Sequence, residues 1–180
     1  MCMKVIVISG KAQHGKDTTG SFIKEELEAA GKRVIITHYG DLLKYICEKF
    51  FDWDGRKDEK GRTLLQYIGT NIVRNQNPRF WTDFLVWVAK LFDGTWDYMI
   101  IPDTRFPNEV TCWYANGYKT THIEVIRDGF DSGLTAEQMQ HPSENALKDF
   151  KPDIEIHNDG SLEDLKERTK KIVKENILNG

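Results

Sequence analysis

The sequence predicts an α/β fold of three layers, in which helices cover both faces of a mostly parallel, five-stranded sheet. Short runs of β-branched residues alternate with segments whose apolar residues recur at helical spacing. A glycine-rich turn joins the first such run to the first such helix. The 180 residues are enough for one buried core without disulfide or metal staples, so we expect a single domain over 1–180.

The first half of the chain predicts a βαβ unit followed by helices. Residues 4–9 form an apolar run typical of a strand buried on both faces, and a helix follows over 15–30, ending near Gly31. The next strand is predicted over 33–38, with a right-handed crossover. Amphipathic helices are predicted over 41–51, over 64–73 and after Pro78, with a charged surface loop over 51–61.

The second half predicts three further strands and one further helix. The strands are expected over 96–101, 119–127 and 153–157. Residues 128–142 have no strong periodicity, which indicates a loop or a lid-like segment. After a turn at 158–160, Ser161 and Asp164 have the spacing of a capping box for a last helix that extends to Ile177.

Composition excludes several classes of protein. The 25 Lys and Arg against 28 Asp and Glu give a net charge of −3, which argues against holding a nucleic acid polymer on a large basic surface. Neither an apolar run of ~20 residues nor a signal peptide is present, so we expect no membrane association and a cytoplasmic location. The cysteines, odd in number and far apart, predict reduced thiols at Cys2, Cys47 and Cys112.

The most informative motif directly follows the first strand. It matches G-x-x-x-x-G-K, a loop whose backbone N–H groups surround phosphate, and the helix that begins there adds its positive end. The alternative is an ordinary glycine-rich turn with a solvated lysine. The predicted nucleotide-phosphate site comprises Gly10, Lys11, Ala12, Gln13, His14, Gly15, Lys16, Asp17 and Thr18.

Asp17 departs from this motif, which has Ser or Thr at that place. A carboxylate beside a triphosphate is repulsive unless a cation lies between them, which favours Asp17 as a direct or water-mediated Mg²⁺ ligand. Thr18 is then left to bond a phosphate. The alternative is an acidic residue favoured by the helix dipole in the first turn.

The chain contains no Asn-Lys-x-Asp motif of switch GTPases, and it is short for a motor or helicase. A small phosphotransferase remains, and its acceptor side should be basic because two anionic substrates must meet there. Candidates are Lys44, Arg62, Arg74 and Arg79, each of which has the alternative of being a solvated surface residue.

Five segments together resemble one known family. They are Gly10–Thr18, residues 61–70 with Arg74 and Trp81, residues 103–109 (Asp-Thr-Arg-Phe-Pro-Asn-Glu), residues 141–144, and the late Asn-Asp-Gly turn. In this order they resemble the bacteriophage-type deoxynucleoside monophosphate kinases, of the P-loop nucleoside monophosphate kinase superfamily. The resemblance implies ATP as donor, Mg²⁺ as cofactor and a deoxynucleoside 5′-monophosphate as acceptor.

It also implies a phosphate-loop fold with a helical acceptor-binding insertion over about 41–95 and a short lid over about 128–145. Asp103, at the end of an apolar strand, is assigned to Mg²⁺ or to the acceptor phosphate; the alternative is a cap of a turn. Arg105 is assigned to substrate or transferred charge, with an ion pair to Glu109 as the alternative. Lys16 and Arg127 complete the catalytic set, with Arg127 contacting ATP.

The acceptor site implied in this way contains Tyr39, Asp41, Lys44, Arg62, Gln66, Arg74 and Trp81, although the two aromatic residues have the alternative of being plain core. The lid residues are His141, Ser143 and Glu144, unless Pro142 simply begins a helix. We expect Lys16, Arg62, Arg74, Arg105 and Arg127 to converge on one anionic site.

Rival functions are a phosphate-loop kinase for another small acceptor and a non-catalytic ATP sensor. Base, sugar and the choice between monomer and homodimer stay open.

Overall fold

The computed structural model describes residues 3–179, and within them five parallel strands form one sheet, as predicted. The strands are β1 (Lys4–Ser9), β2 (Val34–Ile36), β3 (Tyr98–Ile101), β4 (Thr120–Ile126) and β5 (Ile154–His157). Their order is β2-β3-β1-β4-β5, with β1 in the centre. The chain passes to one side of β1 through β2 and to the other through β4, so the sheet has a switch point between β1 and β3, where ligands bind in such folds.

The helices have these bounds: α1 (Lys16–Ala29), α2 (Gly40–Phe50), α3 (Glu59–Gln66), a first π-helical segment (Tyr67–Arg74), α4 (Phe80–Leu91), α5 (Pro107–Ala115), α6 (Ala136–Gln140), α7 (Pro142–Asn145), α8 (Leu162–Ile172) and a second π-helical segment (Val173–Leu178). None of the helices within residues 3–179 is long and apolar enough to cross a bilayer.

Two apolar layers hold the helices to the sheet, because successive residues of a strand point to opposite faces. On one face, Val5 and Val7 of β1 belong to a buried cluster with residues of α4 and α5, including the fully buried Trp113. On the other face, Ile6 and Ile8 belong to a cluster with residues of α1 and α8. A smaller cluster lies under α2 and α3. These layers anchor the helices that surround the carboxyl edge of β1 and β3.

Several element boundaries differ from the prediction. The two strands of the predicted βαβ unit, β1 and β2, are not neighbours in the sheet, because β3 lies between them and pairs with β2. The surface loop predicted over 51–61 ends at Asp58, whose carboxylate accepts the backbone N–H of Gly61 at 2.8 Å and so begins α3. The segment over 128–145 contains the short helices α6 and α7, so Pro142 does begin a helix.

Helix α5 is absent from the predicted elements, which include none over residues 104–118. A start signal is present: Pro107 occupies the first turn, and the Glu109 carboxylate accepts the backbone N–H of Phe106 at 3.0 Å. The other predicted cap is confirmed, since the Ser161 hydroxyl accepts the backbone N–H of Asp164 at 3.2 Å. Cys47 and Cys112 are free thiols, whereas Cys2 lies outside the described residues.

Candidate functional site

The loop after β1 has a backbone that two of its glycines make possible. Gly10 has φ 139° and Gly15 has φ 97°. A Cβ on Gly10 would lie 2.4 Å from the carbonyl oxygen of Val125, and a Cβ on Gly15 would lie 2.8 Å from Nδ2 of Asn158. Both positions therefore require glycine. The loop lies at the switch point of the sheet and leads directly into the first turn of α1.

Lys16 is the first residue of α1 and folds back over this loop. Its Nζ donates to the backbone oxygens of Gly10 and Lys11, each at 2.8 Å. Burial, together with the positive charge of Arg105, lowers the pKa of Lys16 to about 7. An anionic phosphate at this position would favour the charged form of the lysine. The loop thus presents a buried ammonium group together with a helix N-terminus.

Asp103 connects the end of β3 to the beginning of α2. Its carboxylate accepts the backbone N–H groups of Tyr39 and Gly40, both at 2.9 Å. This contact differs from the alternative of a cap of a local turn, because the helix that it joins comes from a distant part of the chain. The contact fixes the carboxylate at the carboxyl edge of the sheet, close to the phosphate loop.

A chain of polar contacts joins the phosphate loop to α2. His38 Nε2 lies 2.9 Å from Oδ1 of Asp17, and its Nδ1 lies 3.3 Å from Oδ2 of Asp41. Hydrogen bonds to Asp17 and then to Asp41 raise the pKa of His38 to about 9, against the effect of burial. Lys44 donates to Asp41 at 2.9 Å. Although burial raises the pKa of Asp41, the hydrogen bonds from His38 and Lys44 bring it below its ordinary value.

A cavity of about 420 Å³ opens between the phosphate loop, α2, α3, α4 and α7. It brings together most of the predicted site. The predicted residues that line it are Ala12, Gln13, Lys16, Asp17, Tyr39, Lys44, Arg62, Gln66, Arg74, Trp81, Asp103, Arg105, Ser143 and Glu144. Residues 38, 40, 43, 57, 65, 69, 70, 102, 106, 109 and 134 also line it, and the predicted set lacks them. Phe106 and Glu109 lie in the 103–109 motif, so the motif itself could have identified them as candidate site residues.

The cations of the cavity have different partners. The Arg74 guanidinium pairs with Glu109 at 2.5 Å and lies 3.9 Å from the centre of the Phe106 ring. Arg105 pairs with Glu144 of α7 and not with Glu109, which instead accepts its backbone N–H at 2.6 Å. The Nε of Arg62 donates to the backbone oxygen of Lys57 at 2.9 Å. The exposed Arg79 pairs with Asp83 in its own helix, so it follows the solvated alternative.

Some predicted residues lie outside the cavity lining. Arg127 stacks on Phe130, 4.0 Å from the ring centre, and its backbone N–H donates to His14 at 3.1 Å. The expected convergence therefore applies to four of the five cations, since Arg127 contacts the phosphate loop at His14 but does not line the cavity. Asp41 is exposed on α2, and His141 contacts the Ser143 hydroxyl at 2.9 Å as it caps α7. The loop residues Gly10, Lys11, His14, Gly15 and Thr18 are also outside the lining.

The aromatic residues of the predicted acceptor site are largely core. The Tyr39 hydroxyl donates to the backbone oxygen of Glu109 at 2.6 Å and accepts the indole N–H of Trp113 at 2.7 Å. Trp81 donates its indole N–H to the backbone oxygen of Gly69 at 3.0 Å. Both side chains are buried, although each also forms part of the cavity wall.

The donor set of the cavity suits a cation that is shared with phosphate. In the part of the chain that the structure describes, no three His, Cys, Asp or Glu residues form a cluster able to hold a metal. Asp17 and Asp103 nevertheless line the same cavity beside Lys16. Mg²⁺ commonly takes one or two carboxylates from a protein and completes its shell with phosphate and water, so this pair fits Mg²⁺.

Comparison with known proteins gives one family and a set of relatives. Residues 40–169 match the family model described as deoxynucleotide monophosphate kinase, a range that begins after the phosphate loop. The deoxynucleotide monophosphate kinase of Enterobacteria phage T4 is 36% identical over 115 residues, which are 63% of this chain and 45% of that protein. The corresponding kinase of Escherichia phage RB69 is 33% identical over 63% of this chain and 44% of its own length. The chain thus matches less than half the length of these relatives.

Solved structures share the fold at low sequence identity. Shikimate kinase from Aquifex aeolicus has a TM-score of 0.54 and 13% identity, covering 98% of this chain and 99% of its own. Dephospho-CoA kinase from Campylobacter jejuni has a TM-score of 0.52 and 15% identity, covering 96% and 97%. At this identity the likeness concerns the fold alone, which is that of the phosphate-loop kinases.

Proposed function

We propose that the chain, which belongs to the deoxynucleotide monophosphate kinase family, transfers the γ-phosphate of ATP to a deoxynucleoside 5′-monophosphate. The observation that carries the proposal is the single cavity that joins the phosphate loop to Arg62, Arg74 and Arg105. A kinase needs such an arrangement, because phosphoryl transfer depends on positioning two anionic substrates and neutralising their charge.

The donor end of the cavity has the features needed for a triphosphate. Backbone N–H groups of residues 10–18 and the N-terminus of α1 would bind the phosphates, and Lys16 would reach the β and γ phosphates. Asp17 and Asp103 would hold Mg²⁺, which when bound would neutralise charge on the transferred phosphoryl group. Arg127, whose backbone N–H donates to His14 of the loop, would contact the phosphates or base of ATP.

The acceptor end would bind the monophosphate through arginine forks. Arg62 and Arg74 supply planar guanidinium groups that suit a phosphate dianion, and Gln66 and Lys44 lie in the same wall. We therefore assign the region of about 41–95 to acceptor binding. All these residues come from one chain, so the proposal needs no second copy. Because the reaction consumes ATP, we place it in the cytoplasm, with nucleotides as the partners.

The segment over about 128–145 would act as a lid. Glu144 on α7 forms an ion pair with Arg105, which lies two residues after Asp103 in the segment that follows β3. Closure of this segment over the cavity would exclude water, which otherwise hydrolyses the donor. In-line transfer then needs little covalent chemistry from the protein.

An ADP-release assay with ATP and a panel of deoxyribonucleoside and ribonucleoside monophosphates tests the proposed kinase function. We expect the rate to depend on a deoxynucleoside monophosphate, and Lys16→Ala to lower turnover by orders of magnitude with an unchanged circular dichroism spectrum. Lys32→Ala, an exposed lysine after α1, is the matched control and should retain turnover. Near-normal turnover in Lys16→Ala would contradict the site. ADP release that no monophosphate stimulates would support the rival kinase for another acceptor, and ATP binding without any product would support the sensor.

A further inference from the structure

Glu109 is a buried carboxylate in the wall of the cavity. Its side chain is 2% exposed, and it belongs to the first turn of α5. Oε2 accepts the backbone N–H groups of Arg105 at 2.6 Å and of Phe106 at 3.0 Å. Oε1 accepts the Nη2 donor of Arg74 at 2.5 Å. One carboxylate thus binds both the loop after β3 and an arginine that is 35 residues away in the sequence.

The environment of Arg74 is equally restricted. Its side chain is 12% exposed, lies flat on the Phe106 ring at 3.9 Å, and donates through Nη1 to Oδ1 of Asn108 at 3.4 Å. All three partners, at 106, 108 and 109, belong to the same motif. The Nε of Arg74 is buried and has no hydrogen-bond partner among residues 3–179. The Nε–H donor of the guanidinium is therefore unpaired within this range, in a residue that lines the cavity.

A purely structural role, the capping of α5, would explain two of the three hydrogen bonds that the Glu109 carboxylate accepts. Capping α5 uses only Oε2, since that oxygen accepts the backbone N–H groups. Burial raises the pKa of Glu109 to about 7, although Arg74 and the two N–H donors lower it, so placing this carboxylate in the interior opposes its ionisation. A polar uncharged residue would cap the helix without that cost. The contact between Oε1 and Arg74 is the part that capping leaves unexplained.

We propose that Glu109 is a positioning residue that holds the Arg74 guanidinium on Phe106, oriented toward the phosphate of the acceptor nucleotide. The proposal rests on the proposed function. The 103–109 segment would then align both ends of the reaction, because it carries Asp103 and Arg105 and also fixes the acceptor-binding Arg74. An arginine fork is pre-organised in this way and loses little freedom when it binds a phosphate.

Glu109→Gln tests the proposal. The amide oxygen can still accept the backbone N–H groups, whereas the charge that attracts Arg74 is removed. We expect the KM for the deoxynucleoside monophosphate to rise at least ~10-fold, since misplacing a binding group by about 1 Å has effects of this size or larger. The KM for ATP should stay within about twofold, as Glu109 does not contact the phosphate loop.

Asp97→Asn is the matched control. Asp97 also accepts the backbone N–H and the guanidinium of an arginine, Arg33, but it does not line the cavity. Its substitution should leave both KM values unchanged. Arg74→Lys should raise the acceptor KM, and adding Glu109→Gln to it should have no further effect, because the two residues act as a unit. Where Glu109→Gln fails to fold, Glu109→Asp, which keeps the charge but shortens the reach, takes its place in the same comparison.

Three results are decisive. Wild-type protein without monophosphate-dependent ADP release would refute the proposed function itself. Active wild-type protein with an unchanged acceptor KM in the Glu109 variants would overturn the positioning role alone. Additive effects of Glu109→Gln and Arg74→Lys would overturn it too, because they would show that Glu109 does not act through Arg74.

Discussion

His38 offers a prediction whose magnitude follows from the structure. The imidazole lies between two carboxylates, with Nε2 at 2.9 Å from Asp17 and Nδ1 at 3.3 Å from Asp41. These hydrogen bonds raise its pKa from 6.5 to about 9, so both ring nitrogens carry protons at neutral pH. The folded protein thus binds the histidine proton more tightly than the unfolded chain does.

The sign and size of the effect on stability follow from linkage. The contribution of a raised histidine pKa is fully present below about pH 6.5 and is lost as the pH rises through about 9. Each unit of pKa difference corresponds to ~1.4 kcal/mol, so the full difference in pKa would contribute ~3 kcal/mol to the free energy of unfolding. The side chain of His38 is 25% exposed, but those of Asp17 and Asp41 are 78% and 50% exposed. Solvent screening therefore reduces the expected value to ~1–2 kcal/mol.

Urea unfolding at pH 6 and pH 9.5 measures this difference. The free energy of unfolding of the wild-type protein should fall by ~1–2 kcal/mol more than that of His38→Gln, which cannot carry the charge. Other titrating groups are common to both proteins and cancel in the comparison. An equal pH dependence in His38→Gln and wild type would refute the reasoning.

Three further predictions concern packing and the lid. Gly61→Ala should lower the free energy of unfolding by ~1–3 kcal/mol, because its Cβ would lie 2.1 Å from a backbone oxygen of the preceding loop. Gly20→Ala, whose nearest contact would be 3.4 Å, should be neutral or stabilising, and thermal unfolding of both variants checks this. Tyr39→Phe should lower the free energy of unfolding in urea by ~1–3 kcal/mol, because it leaves the buried indole N–H of Trp113 without its partner at 2.7 Å. An unchanged urea midpoint would contradict this prediction. Glu144→Gln should raise ADP release in the absence of a monophosphate, because it weakens the contact that holds the lid segment, and an unchanged rate would argue against the lid.

The features that the sequence determined by itself are those that local chemistry decides. The run Lys4–Ser9 predicts a buried strand because four consecutive apolar, β-branched residues lie within it. The corresponding strand, β1, lies in the centre of the sheet. The glycines of the phosphate loop are local in the same sense, since a positive φ restricts the residue type wherever the loop lies. Ser161 and Asp164 cap α8 through contacts three residues apart. The motif at 103–109 also resembles the family to which the chain belongs.

Only the tertiary structure decided which distant groups meet. Arg105 was expected to face substrate or Glu109, but it pairs with Glu144, 39 residues away, and so leaves Glu109 to Arg74. Arg127 was expected in the same cluster, yet it follows β4, stacks on Phe130 and donates its backbone N–H to His14, and it does not line the cavity. Sequence patterns record the period of a helix or strand, whereas partners across elements depend on strand order and helix packing. For this chain, local sequence patterns predict which residue types form the site. Which of these residues contact each other depends on the strand order, in which β3 lies between β1 and β2.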